Sequence, residues 1–130
     1  MYGSLDVSTS GMIAQRTRME VVASNIAHAN TLENDQGEYD PYLRRAAMFS
    51  PKPGGNGVEV SEIHIDETAL RTEYRKGHPF ADEEGYLQVP DIDTTFEWVN
   101  GLQASRAYEA NIVAAETTKN MMAQALRLLA

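Results

Sequence analysis

The chain has 130 residues, enough for one ordinary domain, and its 42% hydrophobic and 23% charged residues exclude wholesale disorder. A net charge of −8 argues against sequence-independent binding to nucleic acid or to anionic membrane surfaces, because such affinity comes from Lys and Arg. The absence of cysteine excludes disulfides, thiol nucleophiles and thiolate metal sites.

No apolar run reaches the roughly 18 residues that span a bilayer. The start, Met1 to Asp6, lacks a basic segment followed by an apolar one, so neither a transmembrane helix nor a cleavable signal peptide is expected. Charge and helix breakers divide the chain into three parts. Residues 31 to 97 hold fifteen acids and six bases, whereas the two ends together hold four acids and five bases. All five prolines lie in the middle, and neither Met12 to Thr31 nor Leu102 to Ala130 contains Gly or Pro. The pattern predicts a mainly α protein: an N-terminal helix within 1–30, a small loop and β-hairpin region over 31–93, and a long C-terminal helix within 94–130.

The first helix is expected from about Ser4 to Ala29, roughly 37 Å long. Leu5, Met12, Met19 and Ile26 recur every seven residues as its apolar seam, with Val22 and Ala23 alongside. Ser8 and Gln15 fall where a strict coiled coil wants apolar groups, and Gly11 costs about 1 kcal/mol relative to Ala. Asn25 and Asn30 suit either a binding role or, for Asn30 above all, a left-handed helix cap.

The middle reads as turns and short strands. Asn34 to Gly37 and Pro53 to Gly57 carry turn chemistry, and Val58 to Ile65 alternates as a half-buried strand should. Tyr39 to Phe49 is its expected partner, and Gly85 to Val89 a third short strand.

In the last segment Trp98, Gly101, Ser105, Tyr108, Ile112, Ala115, Lys119, Met122, Leu126 and Leu129 alternate by threes and fours. Thr94 and Glu97 have capping-box spacing, with Asp91 and Asp93 near the helix start and Arg127 near its end. A helix from Thr94 to Leu129 would run about 54 Å, against a diameter of roughly 35 to 40 Å for a compact chain of this length. Either the helix breaks, or part of its stripe is buried against the first helix and the rest against other molecules.

Signs of catalysis are weak. His64 with Asp66, and His78 with Asp82, Glu83 and Glu84, offer oxygen and nitrogen metal ligands, but exposed acidic turns beside a histidine are common. No P-loop, dinucleotide fingerprint or nucleophile elbow is present. Met12, Met19, Met121 and Met122 read as core filling before they read as an adaptable binding surface. No cofactor, metal, small-molecule substrate or catalytic residue is expected.

Two stretches carry a more specific signal. Gln15, Arg18-Met19 and Ala23-Ser24-Asn25-Ile26-Ala27-His28-Ala29-Asn30-Thr31 resemble the N-terminal signature of the bacterial flagellar rod and hook family. Ala104-Ser105-Arg106-Ala107-Tyr108-Glu109-Ala110-Asn111-Ile112, followed by Thr117 or Thr118, Lys119 and Met121-Met122, resembles its C-terminal signature. Gly77 to Pro90 is similar to a segment of proximal rod members, and His28, Phe80 and Asp91 depart from the usual Asn, polar residue and Asn.

The resemblance implies a structural, non-enzymatic subunit of the flagellar basal body, exported unfolded through the flagellar type III apparatus without a cleaved signal and assembled helically in the periplasmic rod. It implies that the terminal helices pack as an antiparallel coiled coil in the inner tube, with the middle as a small outer domain. The implied partners are copies of the chain itself, other rod proteins of the FlgB, FlgF and FlgG types, and rod-base and membrane-ring proteins. The assembly interface is expected at Leu5, Met12, Gln15, Met19, Asn25, Ile26, Asn30, Arg106, Tyr108, Asn111, Ile112, Met122, Leu126 and Leu129. Before assembly the helices are expected to be poorly ordered, since isolated helices are marginal without packing. A coiled-coil adaptor that does not polymerise, and a metal-dependent enzyme using His64, Asp66 and His78, are the competing readings.

Overall fold

In the computed structural model, which describes residues 2–130, two long helices bracket two small antiparallel hairpins. The elements are α1 (Tyr2–Ala27), β1 (Arg45–Pro51), β2 (Val58–Ile65), β3 (Leu70–Tyr74), β4 (Tyr86–Pro90) and α2 (Thr94–Leu129). The gap between the two glycine-free and proline-free ends is where the strands and turns fall, as the breakers predict.

α1 stops two residues earlier than its sequence pattern suggests. His28 N still reaches Ser24 O at 3.0 Å, but Ala29 N bonds Ile26 O and Thr31 N bonds His28 O. These tighter i to i−3 bonds satisfy the last carbonyls without a left-handed cap. Among the described residues no non-glycine has positive φ, so Asn30 is not the left-handed cap expected of it.

α2 is unbroken over 36 residues. Its N-cap is Asp93, whose carboxylate accepts from Thr95 N at 3.0 Å and Phe96 N at 3.3 Å. The Thr94 and Glu97 capping box therefore does not form. Asp93 already serves the first amides, which releases the Glu97 carboxylate to point inward, where it is 1% exposed.

Contacts between the helices run in opposite order along them. Gly11 faces Asn111, Arg18 donates to Asn100, Val22 lies against Gly101, and Asn25 donates to Glu97. At this register the start of α1 lies level with about residue 120, and the last turns of α2 continue past it without a helical partner. The accessible area, 8946 Å², exceeds the roughly 6,800 Å² of a compact monomer of this mass. Much of α2 is thus uncovered, which resolves the conflict between its length and a compact chain.

The middle contains two hairpins where the sequence pattern suggested one hairpin and a third strand. β1 pairs β2 from Arg45 opposite Ile65 to Pro51 opposite Val58, with a register shift that leaves Ser61 unpaired opposite the Met48–Phe49 step. The expected partner strand from Tyr39 shrinks to Arg45–Pro51, because Tyr39 instead makes a single bridge to Glu33. Its hydroxyl donates to Gln88 O and accepts from Gln88 N, both on β4. β4 pairs β3, a strand too short and too charged to stand out in the sequence. Leu32, Leu87 and Val89 form a small core under this second hairpin, with Phe80 packed against it.

The first hairpin sits on α1 through its turn. Ser10 Oγ donates to Val7 O at 2.7 Å and accepts from Val58 N at 3.1 Å. Gly57, at φ 113°, lies so close to Ser10 that a Cβ would collide with the hydroxyl. β2 is covered only over Val58 to Val60, and Ile63 and Ile65 are about half exposed, contrary to the half-buried strand expected along its whole length.

Candidate assembly interface

The buried residues of the two long helices are mostly small or polar: Ser8, Ser10, Gly11, Ala14, Val21, Val22 and Asn25 on α1, and Glu97, Ala104 and Thr118 on α2. Of those on α1, Gly11, Val22 and Asn25 meet α2, whereas Ser10, Ala14 and Val21 lie beside the β1–β2 hairpin. A Cβ on Gly11 would lie 2.8 Å from the amide of Asn111, so the missing side chain permits the close approach. Asn111 Nδ2 in turn donates to Ala107 O at 2.8 Å.

The large apolar residues are less enclosed. Leu5, Met12, Met19 and Ile26 on α1, and Tyr108, Ile112 and Met122 on α2, are half-buried, while Leu126 and Leu129 are exposed. Sequence reasoning placed the seam on the bulky heptad. Of that heptad, Met19 and Ile26 line a groove between the helices together with Val22, Trp98, Gly101, Leu102 and Ser105. Gln15 is half-buried and its Oε1 is 3.5 Å from Arg18 Nη1. Arg106 and Asn30 are exposed.

Asn25 is the one expected interface residue fully enclosed by this chain itself, at 0% exposure. Its Nδ2 donates to Arg45 O at 2.8 Å and to Glu97 Oε2 at 3.3 Å. Its Oδ1 accepts from Arg45 N at 3.0 Å and from the Tyr42 hydroxyl at 3.1 Å, and that hydroxyl also lies 3.0 Å from Ser24 Oγ. Arg44 closes the cluster with a 2.5 Å ion pair to Glu97 Oε1.

This cluster joins the end of α1, the entry to β1 and the first turn of α2. Every polar group is answered, so a buried carboxylate is tolerable there. Sequence reasoning missed Glu97 and Arg44 because a partner 53 positions away leaves no local signature. The available signal was Asp93, a stronger N-cap immediately before Thr94, which frees Glu97 from capping.

Beyond the paired region the described end of α2 is strongly apolar. Met121 is 54%, Leu126 67%, Leu128 87% and Leu129 85% exposed. At the opposite end of the molecule Trp98 and Leu102 are also more than half exposed, beside a groove that includes Met19 and Ile26.

The titratable groups considered for metal binding are engaged in turns. Asp66 Oδ1 accepts from Thr68 Oγ1 at 2.6 Å and from Thr68 N at 2.9 Å, and these bonds hold its carboxyl below the ordinary 3.8, with smaller help from His64 and Arg44. His78 Nδ1 accepts from Phe80 N at 3.1 Å. Asp82 Oδ1 accepts from Glu84 N and Tyr86 N. Among the described residues no three His, Asp or Glu side chains group as a metal site. Among the described residues no helix is long and apolar enough to cross a membrane.

Known proteins match both helical ends and, as relatives, nearly the full chain. The family model described as "Flagella basal body rod protein" matches residues 5–32, and "Flagellar basal body rod FlgEFG protein C-terminal" matches residues 83–128. A flagellar basal-body rod protein FlgC of Bacillus subtilis is 37% identical over 98% of this chain and 97% of its own length. Those of Yersinia enterocolitica and Salmonella typhimurium are 37% and 35% identical, each over 95% of this chain and 93% of the relative. The matched segments include both helices and the Asn25 and Glu97 cluster.

Proposed function

This chain belongs to the FlgC family of flagellar basal-body rod proteins, structural subunits rather than enzymes, and from that premise we propose how it builds the rod. The subunits polymerise helically, with 1–30 and 94–130 packed as an antiparallel coiled coil in an inner tube and 31–93 forming a small outer domain. The opposed helix contacts and the acidic, proline-containing middle support this division.

The observation that carries the reading is α2 itself. It is an unbroken 36-residue helix with an apolar stripe that α1 covers only in part. Leaving Leu126, Leu128 and Leu129 in water forfeits stabilisation, whereas burial against neighbours recovers roughly 1.5 to 3 kcal/mol for each large side chain. Half-buried Leu5, Met12, Met19, Ile26, Tyr108, Ile112 and Met122, together with Leu126 and Leu129, form the dry contacts between subunits. Gln15, Asn30, Arg106 and Asn111 supply polar contacts around them, and Asn25 acts from inside by holding the ends of both helices in place.

Mechanically, a heterologous contact repeated around an open helix makes a shaft. Torque passes from subunit to subunit through packed helices, which deform little because close-packed interiors are stiff. The neighbours are copies of the chain, rod proteins of the FlgB, FlgF and FlgG types, and the rod-base and membrane-ring proteins. The subunit reaches the periplasm through the flagellar type III apparatus without a cleaved signal. Ile112→Asp in the native gene tests this: motility and rod assembly are lost while export continues, and normal motility with this variant contradicts the assigned contacts.

A further inference from the structure

The dipeptide Asn-Gly occurs twice in this chain, at Asn56-Gly57 and at Asn100-Gly101, and the fold treats the two in opposite ways. In an Asn-Gly pair the glycine amide nitrogen can attack the asparagine side-chain carbonyl carbon, because glycine has no side chain to obstruct the five-membered ring that forms. The attack needs a nitrogen free of hydrogen bonds and a backbone free to rotate.

Both conditions are met at Asn56. It stands exposed in the turn between β1 and β2, directly after two glycines. Among the described residues its side chain makes no hydrogen bond, and Gly57 N donates to no group. Asn100 meets neither condition. Gly101 lies inside the unbroken α2, where its N–H is committed to the carbonyl four residues back, and a Cβ there would lie 3.2 Å from Val22 Cγ1. The Asn100 side-chain oxygen accepts from Arg18 Nη2, which ties down the amide as well.

We infer that Asn56-Gly57 is a site of spontaneous deamidation, and that its isoaspartate product unseats the first hairpin from α1. The Gly57 nitrogen gives its proton to solvent base and bonds to Asn56 Cγ, and the Cγ–Nδ2 bond breaks with release of ammonia. Water then opens the resulting succinimide at one of its two carbonyls. Cleavage of the new N–Cγ bond leaves aspartate on the original backbone. Cleavage of the peptide C–N bond leaves isoaspartate, in which the chain runs through Cβ and Cγ and is one methylene longer. Net, one water is consumed and one ammonia released, so solvent is the only co-reactant. The inference does not depend on the assembly proposed above.

The added methylene falls where there is no room for it. Gly57 lies so close to Ser10 that even a Cβ would collide with the hydroxyl. Val58 N donates to Ser10 Oγ at 3.1 Å, and Lys52 N closes the turn by donating to Gly57 O at 3.0 Å. A longer path through residue 56 displaces Gly57, and the Ser10 contact goes with it. Contacts of α1 with α2 are made by other residues, among them Gly11, Val22 and Asn25, and stay in place. The lesion therefore loosens one hairpin and spares the helical pair.

To test this, the full chain is aged in mildly alkaline buffer and its products mapped by mass spectrometry with fragmentation that separates aspartate from isoaspartate. Deamidation should be at least about ten-fold faster at Asn56 than at Asn100, the factor that corresponds to about 1.4 kcal/mol of local helix opening. In guanidinium the two rates should converge to within a few-fold, and Asn56→Gln, whose ring would need six members, should lose the fast reaction. In the isolated isoaspartate form the Val58 amide should exchange at least about ten-fold faster than in fresh protein, with helix ellipticity unchanged. Freshly made Asn56→Asp should keep the slow exchange, which separates the longer backbone from the added charge. Equal rates at the two asparagines of the folded chain, or a difference that persists in guanidinium, would overturn the site. Unchanged Val58 exchange in the isoaspartate form, melted helices, or fast exchange in Asn56→Asp would overturn the local unseating.

Discussion

Replacing Asn25 by Asp changes one atom's chemistry at the point where α1, β1 and α2 meet, and its cost follows from the geometry. The new carboxylate oxygen takes the position of Nδ2, which donates to Arg45 O at 2.8 Å and lies 3.3 Å from Glu97 Oε2. Two unit charges at that separation repel by about 5 kcal/mol at an effective dielectric of about 20. Arg44, paired with Glu97, offsets about half of this, while the stranded Arg45 carbonyl adds about 1 to 3 kcal/mol. The expected loss is about 4 kcal/mol at neutral pH, measured by urea unfolding followed through helix ellipticity.

The pH dependence separates this mechanism from simple loss of a hydrogen bond. Burial and the Glu97 charge raise the new carboxyl's pKa in the folded chain above its unfolded value of about 3.9. Its penalty is therefore full above the folded pKa and shrinks as pH falls, at up to about 1.4 kcal/mol per pH unit. Asn25→Ala should lose about 2 to 3 kcal/mol, with no comparable recovery in acid. A loss below about 0.5 kcal/mol for Asn25→Asp, or a pH-independent loss equal to that of Asn25→Ala, would refute the reasoning.

Two other measurements read the structure locally. The pairing of α1 with α2 replaces the expectation of poorly ordered helices with a graded one: amide exchange in the monomer should be slowest in the part of α2 level with α1, up to about residue 120, and fastest over 121–129; uniform protection to Leu129 would show that these last turns have a partner within the chain. Asp66 should titrate below 3.8, and Thr68→Ala should raise its pKa toward that value. Because the folded value is depressed, the small stabilisation from Asp66 is present above the unfolded pKa and is lost as pH falls through the folded one.

Helix existence was plain in the sequence, since two long segments without Gly or Pro flank a middle holding every proline. The unbroken α2 matches the range Thr94 to Leu129 read from its apolar alternation. The pairing surface was less legible. Large residues at seven-residue intervals suggested the seam, but helices approach most closely where side chains are small, as at Gly11 against Asn111 and Gly101 against Val22. The bulky heptad is only half-buried within the chain. β3 was hidden because Leu70 to Tyr74 gains its strand character from Tyr86 to Pro90, a pairing across an eleven-residue connection. Glu97 was misread for the same reason: its ion-pair partner Arg44 is distant in sequence.

The central claim, that this chain is a rod subunit of the flagellar basal body, is tested most directly by quantitative mass spectrometry of intact hook and basal-body particles purified from the source cells. The account predicts the chain in every preparation, in a few copies per particle, together with the other rod proteins. Well-formed particles that lack it would contradict the account and leave a coiled-coil adaptor that does not polymerise as the better description.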